Sequence, residues 1–454
     1  MSRALLSDGE IAVVGLGRSG VAASRLLRRQ GLRVYASDGG DSPTLRRDAA
    51  LLRQEGVDAE TGRHDLARIG EAATVVASPG IPPFAAPLAA ANAAGVPVIS
   101  EVEVALAFLR PVTIIAVTGT NGKSTVTALV DHLLRAIGRR SVAAGNIGLA
   151  LSDVALWADP PDFVSLEMSS FQLHDTPSLQ PTVGVLTNLA PDHLDRYNSV
   201  EAYYADKDLL FRNAVDASTW VTNKDDTEVL RRTRNIRGRH FHFSVQNVSA
   251  DAGPATDDRR LQLLGRDWMA RADVSLLGEH NVANVLAAAL AVAAAVPLVT
   301  ADARRALAQA VCSFPGLAHR LELVAEMGGV QWINDSKATN VSSSLVAINS
   351  MTRPTVVLLG GRHKGESYIG LRGALREHAK LVVAYGEAGS LIEHDLQAYV
   401  PLRRLGSSFE EVIASARSAA EPGDAILLSP ACSSYDMFSN FEERGARFRR
   451  LAAG

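Results

Sequence analysis

Cysteine is scarce: Cys312 and Cys432 are the only two in 454 residues. They give neither a disulfide framework nor a thiolate metal cluster, and each reads as a small buried apolar side chain. A charge excess is missing too. The formal net charge of −3 leaves no bulk electrostatic footprint for a nucleic acid or an anionic membrane. No uninterrupted apolar run is long enough to cross a bilayer. The nearest, at 285–299, is Ala-rich, contains Pro297 and reads as a core helix. The opening residues MSRALLSDGE carry no apolar signal-peptide stretch, so a cytoplasmic chain without membrane insertion is expected. What remains is an ordinary globular composition, 47% hydrophobic and 21% charged. At 454 residues the chain is too long for one core, because domains usually run ~100–200 residues.

The sharpest local signal is AVTGTNGKSTVTALV at 116–130. The β-branched run 112–117 predicts a buried strand, and Val126, Leu129, Val130, Leu133, Leu134 and Ile137 recur at helical spacing. Gly119 and Gly122 let the intervening backbone turn its N–H groups inward, and the helix start adds partial positive charge where a phosphate would sit. Lys123 suits the terminal phosphates and the Ser124 hydroxyl suits Mg²⁺. The usual first glycine of such a loop is Val117 here.

Strands alternating with helices predict three parallel α/β segments, 1–110, 111–316 and 317–454. In the first, GLGRSG at 15–20 follows a strand, and Asp38 lies about twenty residues on. That pattern serves a nicotinamide dinucleotide, another diphosphate ligand, or a plain tight turn. Ser78-Pro79-Gly80-Ile81-Pro82 is a second glycine turn after a strand. In the middle segment, strands deliver Glu167 and the run Asn188–Asp195 to their carboxyl ends, and 217–275 reads as irregular with antiparallel edge strands. In the last, apolar runs at 356–359, 381–384 and 425–428 alternate with helices, and polar loops Asn334–Asn340 and Gly360–Gly365 follow strands.

Glu167, at a strand end, suits Mg²⁺ among phosphates. His193 lies between Asp192 and Asp195, which could orient it as a metal ligand. Lys207, in YADKD, reads on composition as a surface helix lysine with local ion pairs. Lys337 and Lys364 suit carboxylate or phosphate. One triphosphate site flanked by a diphosphate-type site and a polar cationic domain points to the joining of two substrates at the expense of ATP.

The segments GTNGKST, LEMSSFQL, APDHLDRY, GEHNVANVLAA, FPGLAHRLE, WINDSKATN, LLGGRHKG and LSPACSSYDMFSNFEERG occur in this order along essentially the whole chain. Together they resemble the Mur ligase family, and within it the branch that adds D-glutamate to UDP-N-acetylmuramoyl-L-alanine. The resemblance implies a Rossmann-like N-terminal domain that binds the UDP substrate, a central P-loop-type ATPase domain with a mainly parallel sheet, and a Rossmann-like C-terminal domain that binds the amino acid. It assigns Arg18, Ser19, Asp38, Ser78, Gly80 and Asn146 to the UDP substrate, in place of the nicotinamide reading. A hydroxylated residue usual beside the matching aspartate is Gly39 here. Gly119, Thr120, Asn121, Gly122, Lys123, Ser124, Thr125, Asn281, Asn284, Arg320 and Asp335 match ATP positions. Ser124 and Glu167 would hold one Mg²⁺, and His193 with Lys207, as an N-carbamylated lysine, a second. Lys337, Thr339, Lys364, Ser434 and Phe441 match positions around the glutamate. Lys123, Glu167, His193 and Lys207 carry the expected chemistry: a carboxylate is phosphorylated by ATP and the acyl phosphate is captured by an amine. The alternatives are a related ligase using L-glutamate, a folate-type polyglutamylating enzyme, and a nucleotide-switched binding protein. A monomer is expected.

Overall fold

The computed structural model describes residues 6, 9–193, 196–257, 259–296 and 300–453. It contains three sheets. The five-stranded sheet is built from β1 (Glu10–Val14), β2 (Arg33–Asp38), β3 (Asp58–Thr61), β4 (Thr74–Ala77) and β5 (Val98–Ser100) in the order β3-β2-β1-β4-β5. All its pairs are parallel. Ile11 through Val14 are fully buried, as a central strand with helices on both faces requires. The order reverses between β1 and β4, so the turns beginning at Gly15 and Ser78 leave adjacent carboxyl ends, where open α/β sheets form their ligand crevice.

The nine-stranded sheet comprises β6 (Thr113–Thr118), β7 (Ser141–Gly145), β8 (Phe163–Glu167), β9 (Val183–Leu186), β10 (Thr219–Asn223), β11 (Arg239–Phe243), β12 (Ala252–Pro254), β13 (Arg260–Leu263) and β14 (Arg266–Ala270), ordered β14-β13-β12-β11-β10-β9-β6-β8-β7. Here the sequence reading needs correction. Residues 219–243 are not irregular: β10 and β11 extend the parallel sheet, joined by the helix Thr227–Thr233. Antiparallel pairing is confined to β12, β13 and β14. Polar threonines obscure the strand TWVTN, yet its first four residues are buried. Trp220 anchors it, edge-on to Phe211 with centroids 4.8 Å apart.

The six-stranded sheet has β15 (Glu322–Met327), β16 (Val330–Asn334), β17 (Thr355–Gly360), β18 (Ala379–Tyr385), β19 (Leu402–Arg404) and β20 (Ala425–Leu428), ordered β15-β16-β20-β17-β18-β19. It is parallel except for β15, which pairs antiparallel with β16. By compactness the chain divides into two units: Met1–Asp273 with Ala283–Cys312, which holds the first two sheets, and Val274–Val282 with Ser313–Gly454, which holds the third.

The apolar run near 285–299 is a helix, Glu279–Ala295, with Val285 to Val292 buried; Pro297 lies outside the described residues. Among the described residues no helix is long and apolar enough to cross a membrane. Cys432 is buried as expected, whereas Cys312, near the end of the helix Ala301–Ser313, is exposed.

Gly184 lies on β9 under Trp220, and a Cβ there would come within 2.5 Å of the indole ring. The ring is rigid and buried, so Gly184→Ala is expected to destabilise the first unit by about 1–3 kcal/mol, read as a lower urea midpoint.

Candidate functional site

In the five-stranded sheet, Asp38 stands at the end of β2. Its carboxylate accepts hydrogen bonds from the Leu16 N–H at 2.8 Å and the Gly40 N–H at 2.8 Å. It thereby pins the GLGRSG turn from the neighbouring strand. Gly15 has φ +95°, and a Cβ on Gly20 would sit 1.8 Å from the Gly15 carbonyl, so neither position has room for a side chain. Ser78 donates to that same Gly15 carbonyl at 3.1 Å. Arg18 and Ser19 open the helix Arg18–Arg29. Gly39 faces an imidazole: a Cβ there would lie 3.2 Å from His64 Nε2. Burial lowers the pKa of His64, and its Nδ1 pairs with the Ser37 hydroxyl at 2.9 Å.

Two side chains carry this region to the nine-stranded sheet. Arg18 donates to the Gly148 carbonyl at 2.9 Å. Arg196 donates to the Pro79 and Gly80 carbonyls at 3.4 and 3.2 Å and stacks over Phe171, 4.9 Å from the centroid. Asn146, two residues before Gly148, donates its side chain to Glu167 Oε1 at 2.7 Å.

The loop after β6 is braced from the end of β9. The Thr120 N–H donates to the Asn188 carbonyl at 2.8 Å, and the Asn121 N–H to the Asn188 side chain at 2.9 Å. The Thr187 hydroxyl donates to the Asn121 carbonyl at 2.6 Å. Gly119 and Gly122 have φ +138° and +83°. A Cβ on Gly119 would fall 2.0 Å from the Thr187 hydroxyl, and one on Gly122 2.3 Å from the Asn284 side chain. Lys123 begins the helix Lys123–Ala136, and its ammonium donates to the Thr120 carbonyl at 2.7 Å. Ser124 and Thr125 follow it, both buried.

Glu167 is 1% exposed, and among the described residues its Oε2 has no partner. A solvated strand-end carboxylate is thereby excluded. The surface reading of Lys207 is also overturned. The residue is 1% exposed on the helix Val200–Asp208. Its amine donates to the Thr118 hydroxyl at 3.1 Å and lies 5.4 Å from the ring centroid of Tyr203, one helical turn away. Burial drives its pKa well below the usual ammonium range, and the positive charge of Lys123 lowers it further, against the fields of Glu167, Asp192 and Asp206. His193 has φ +55° and packs edge-on to Phe171 at 5.4 Å; its N–H donates to the Asp192 carboxylate at 2.9 Å. Asp195 lies outside the described residues. Among the described residues no three His, Cys, Asp or Glu side chains form a ready-made metal cage.

In the second unit, Asn281 is buried and donates to the Leu277 carbonyl at 2.7 Å. Asp335, at the end of β16, accepts from the Ser429 hydroxyl at 2.8 Å and the Leu321 N–H at 3.3 Å. Burial pushes its pKa up to about 7, against the opposing field of Arg320. Lys337 lies 5.7 Å from the ring centroid of Phe441, and Lys364 donates to the Thr339 hydroxyl at 3.5 Å. Ser434 is 2% exposed in the loop after β20. Asp335 and Lys337, Ser434, and Lys364 follow the carboxyl ends of β16, β20 and β17, which are neighbours in the sheet, while Asn281 and Phe441 lie on helices.

Family models match three stretches: "Mur ligase MurD-like, N-terminal domain" at 9–100, "Mur ligase middle domain" at 117–292, and "Mur ligase, glutamate ligase domain" at 319–432. The chain is 40% identical over 453 residues to the UDP-N-acetylmuramoylalanine–D-glutamate ligase of Salinibacter ruber, covering 97% of this chain and 96% of that protein. The chain belongs to the Mur ligase family. It is thus one of the ATP-dependent enzymes that form amide bonds. A ligase of the same printed name from Acidobacterium capsulatum is 38% identical, covering 98% of this chain and 96% of that one. Among solved structures, a pseudomurein peptide ligase type C from Methanothermus fervidus shares the fold with a TM-score of 0.60 at 19% identity, covering 98% of this chain and 100% of that one.

Against this Mur ligase frame, sequence reasoning missed Arg196, Arg444 and the Thr187–Asn188 brace. Arg196 and Arg444 lie inside the segments APDHLDRY and NFEERG, so the signal was present without a stated role.

Two outcomes follow from these contacts. Asn146→Ala would leave the buried Glu167 carboxylate without its side-chain donor, and a loss of about 1–3 kcal/mol is expected in urea denaturation. Asp335 keeps its proton to about pH 7 in the folded chain but only to its ordinary 3.8 when unfolded. Between these values the folded state binds more protons, so its contribution to stability is full at low pH and falls as pH rises from about 4 to 7. Asp335→Asn should remove that part of the slope, raising stability at pH 8 relative to pH 5 by at least about 1 kcal/mol, one pKa unit's worth.

Proposed function

We propose that this Mur ligase joins D-glutamate to UDP-N-acetylmuramoyl-L-alanine at the expense of ATP, a step of peptidoglycan precursor synthesis. The observation that carries the reading is the full-length similarity, at 40% identity, to a protein named for that reaction. The turns at Gly15 and Ser78 support a front site for the UDP moiety, with Arg18, Ser19, Asp38, Ser78, Gly80 and Asn146 as its residues. The glycine loop Gly119–Gly122 with Lys123, Ser124 and Thr125 would cradle the ATP phosphates, and Asn281, Asn284, Arg320 and Asp335 are assigned to the same nucleotide. Lys337, Thr339, Lys364, Ser434 and Phe441 are assigned to the amino acid. Working domain limits are 1–110, 111–316 and 317–454, and a cytoplasmic monomer is proposed.

The chemistry follows from charge. The alanyl carboxylate attacks the γ-phosphorus of ATP, the bond to the ADP oxygen breaks, and an acyl phosphate forms. The amine of D-glutamate then attacks the acyl carbon, loses a proton and expels phosphate. Two anions must meet in the first step, and Lys123 offsets their repulsion. Lys337 and Lys364 would each hold a glutamate carboxylate.

The donor set fits Mg²⁺. Glu167 has a buried oxygen without a partner, and hard cations take oxygen ligands. Ser124 and Glu167 would hold one ion. His193 and Lys207 would hold a second, with Lys207 carrying CO₂ on its nitrogen. Only an uncharged amine can attack CO₂, and the depressed pKa of Lys207 favours that form. Bound Mg²⁺ neutralises phosphate charge.

Supplied with ATP, the UDP substrate and D-glutamate, the purified chain is expected to release phosphate and form the amide; turnover with L-glutamate alone overturns the assignment. Lys207→Arg keeps a permanent cation that cannot become a carbamate, and kcat should drop at least about tenfold while the protein stays folded.

A further inference from the structure

We propose that Arg444 is the positioning residue of the amino-acid pocket, a buried cation that holds in register the three loops carrying Lys337, Lys364 and Ser434. The proposal rests on the reading that the amino acid binds among those residues.

Arg444 lies in the first turn of the helix Phe441–Ala452 and is completely buried. Its Nε donates to the Ser336 hydroxyl at 3.0 Å. One terminal nitrogen donates to the Ser336 carbonyl at 2.8 Å and the Cys432 carbonyl at 3.1 Å. The other reaches the Gly360 and Ser433 carbonyls at 3.5 and 3.4 Å. Each acceptor stands one to four residues before an assigned side chain: Ser336 before Lys337, Gly360 before Lys364, and Cys432 and Ser433 before Ser434.

Every one of these acceptors is neutral, and among the described residues Arg444 forms no ion pair. Burying a charge without a direct ion pair is costly, and the carboxyl of Asp335 reaches it only through a longer-range field, so the position demands a return. Two returns are visible. Four carbonyl oxygens that would repel an anionic ligand are drawn onto one cation instead. The planar fork also spans three loops at once, which the point charge of a lysine cannot do. The packing leaves no slack: a Cβ on Gly361 would sit 2.2 Å from the Ser433 carbonyl and 3.1 Å from the Arg444 guanidinium. Because its side chain is buried behind the loops, Arg444 acts on the ligand through them.

The test is steady-state kinetics of the full chain with each substrate varied in turn, Lys364→Ala serving as reference. Arg444→Lys is expected to raise KM for D-glutamate at least tenfold while KM for ATP and for the UDP substrate stays within twofold. Hydroxylamine trapping of the acyl phosphate, which needs no amino acid, should be unchanged. A wild-type D-glutamate KM in folded Arg444→Lys, or an equal rise in all three constants, overturns the proposal. If Arg444→Lys does not fold, Ser336→Ala decides: it removes one acceptor of the fork, and a rise of at least threefold in the D-glutamate KM alone is expected, an unchanged value counting against. If Lys364→Ala also leaves that KM unchanged, the pocket assignment itself falls; if Lys364→Ala raises it and Arg444→Lys does not, only the role of Arg444 falls.

Discussion

The register of three parallel strands fixes the chemistry of the first unit. Val117 on β6 stands level with Glu167 on β8 and with Val185 on β9. With all three strands running the same way, the glycine loop, Glu167 and the Thr187–Asn188 pair must emerge side by side at one edge. A register slip of one residue would reverse every side chain across the sheet and turn Glu167 away from the loop. The loop itself holds its shape through borrowed partners: Asn188 and Thr187 satisfy its backbone, and two glycines adopt φ values open to few other residues. The shape of the glycine loop is therefore a property of two strand ends, not of the GKS sequence alone.

Costly buried polar groups stand at or against strand ends in each of the two units. Glu167 keeps a carboxylate oxygen without a protein partner, Lys207 is an amine forced toward neutrality beside Lys123, and Asp335 holds its proton far above the ordinary range. Glu103 is satisfied within the protein: its carboxylate accepts from the Ser178 N–H at 3.0 Å and from the Ser178 hydroxyl. Burial alone does not mark a working site, since Glu101 is pushed up to about 7 away from the glycine loop; perturbed groups point to one where they gather beside a built loop.

Much of this was legible from residue order. Continuous β-branched runs such as 112–117 and 356–359 have one comfortable home, a parallel strand covered on both faces, and glycines at fixed offsets after them imply tight turns. What failed had a common physical origin. In YADKD nothing distinguishes a lysine facing water from one facing the sheet; only the packing of the helix, with Tyr203 and Lys207 on its inner face, decides it. TWVTN was overlooked because threonine counts as polar yet fits a buried strand well. Arg444 was passed over because arginine on a charged helix normally faces solvent, and its burial depends on three loops far away in sequence.

The first unit links its front crevice to the phosphate loop through a few side chains: Arg18 on Gly148, Asn146 on Glu167, and Arg196 on Pro79 and Gly80. The two arginine contacts are largely solvent-exposed and end on neutral carbonyls, so each is worth only about 1 kcal/mol. Such contacts cannot drive a conformational change of their own. They can set where the end of a long substrate lies when its other end is anchored by backbone N–H groups of the crevice. The Asn146–Glu167 bond differs, because its acceptor is a buried carboxyl group with no other donor on its side chain among the described residues. A group that drew Asn146 away would leave that carboxylate uncovered, and a cation is what would restore it.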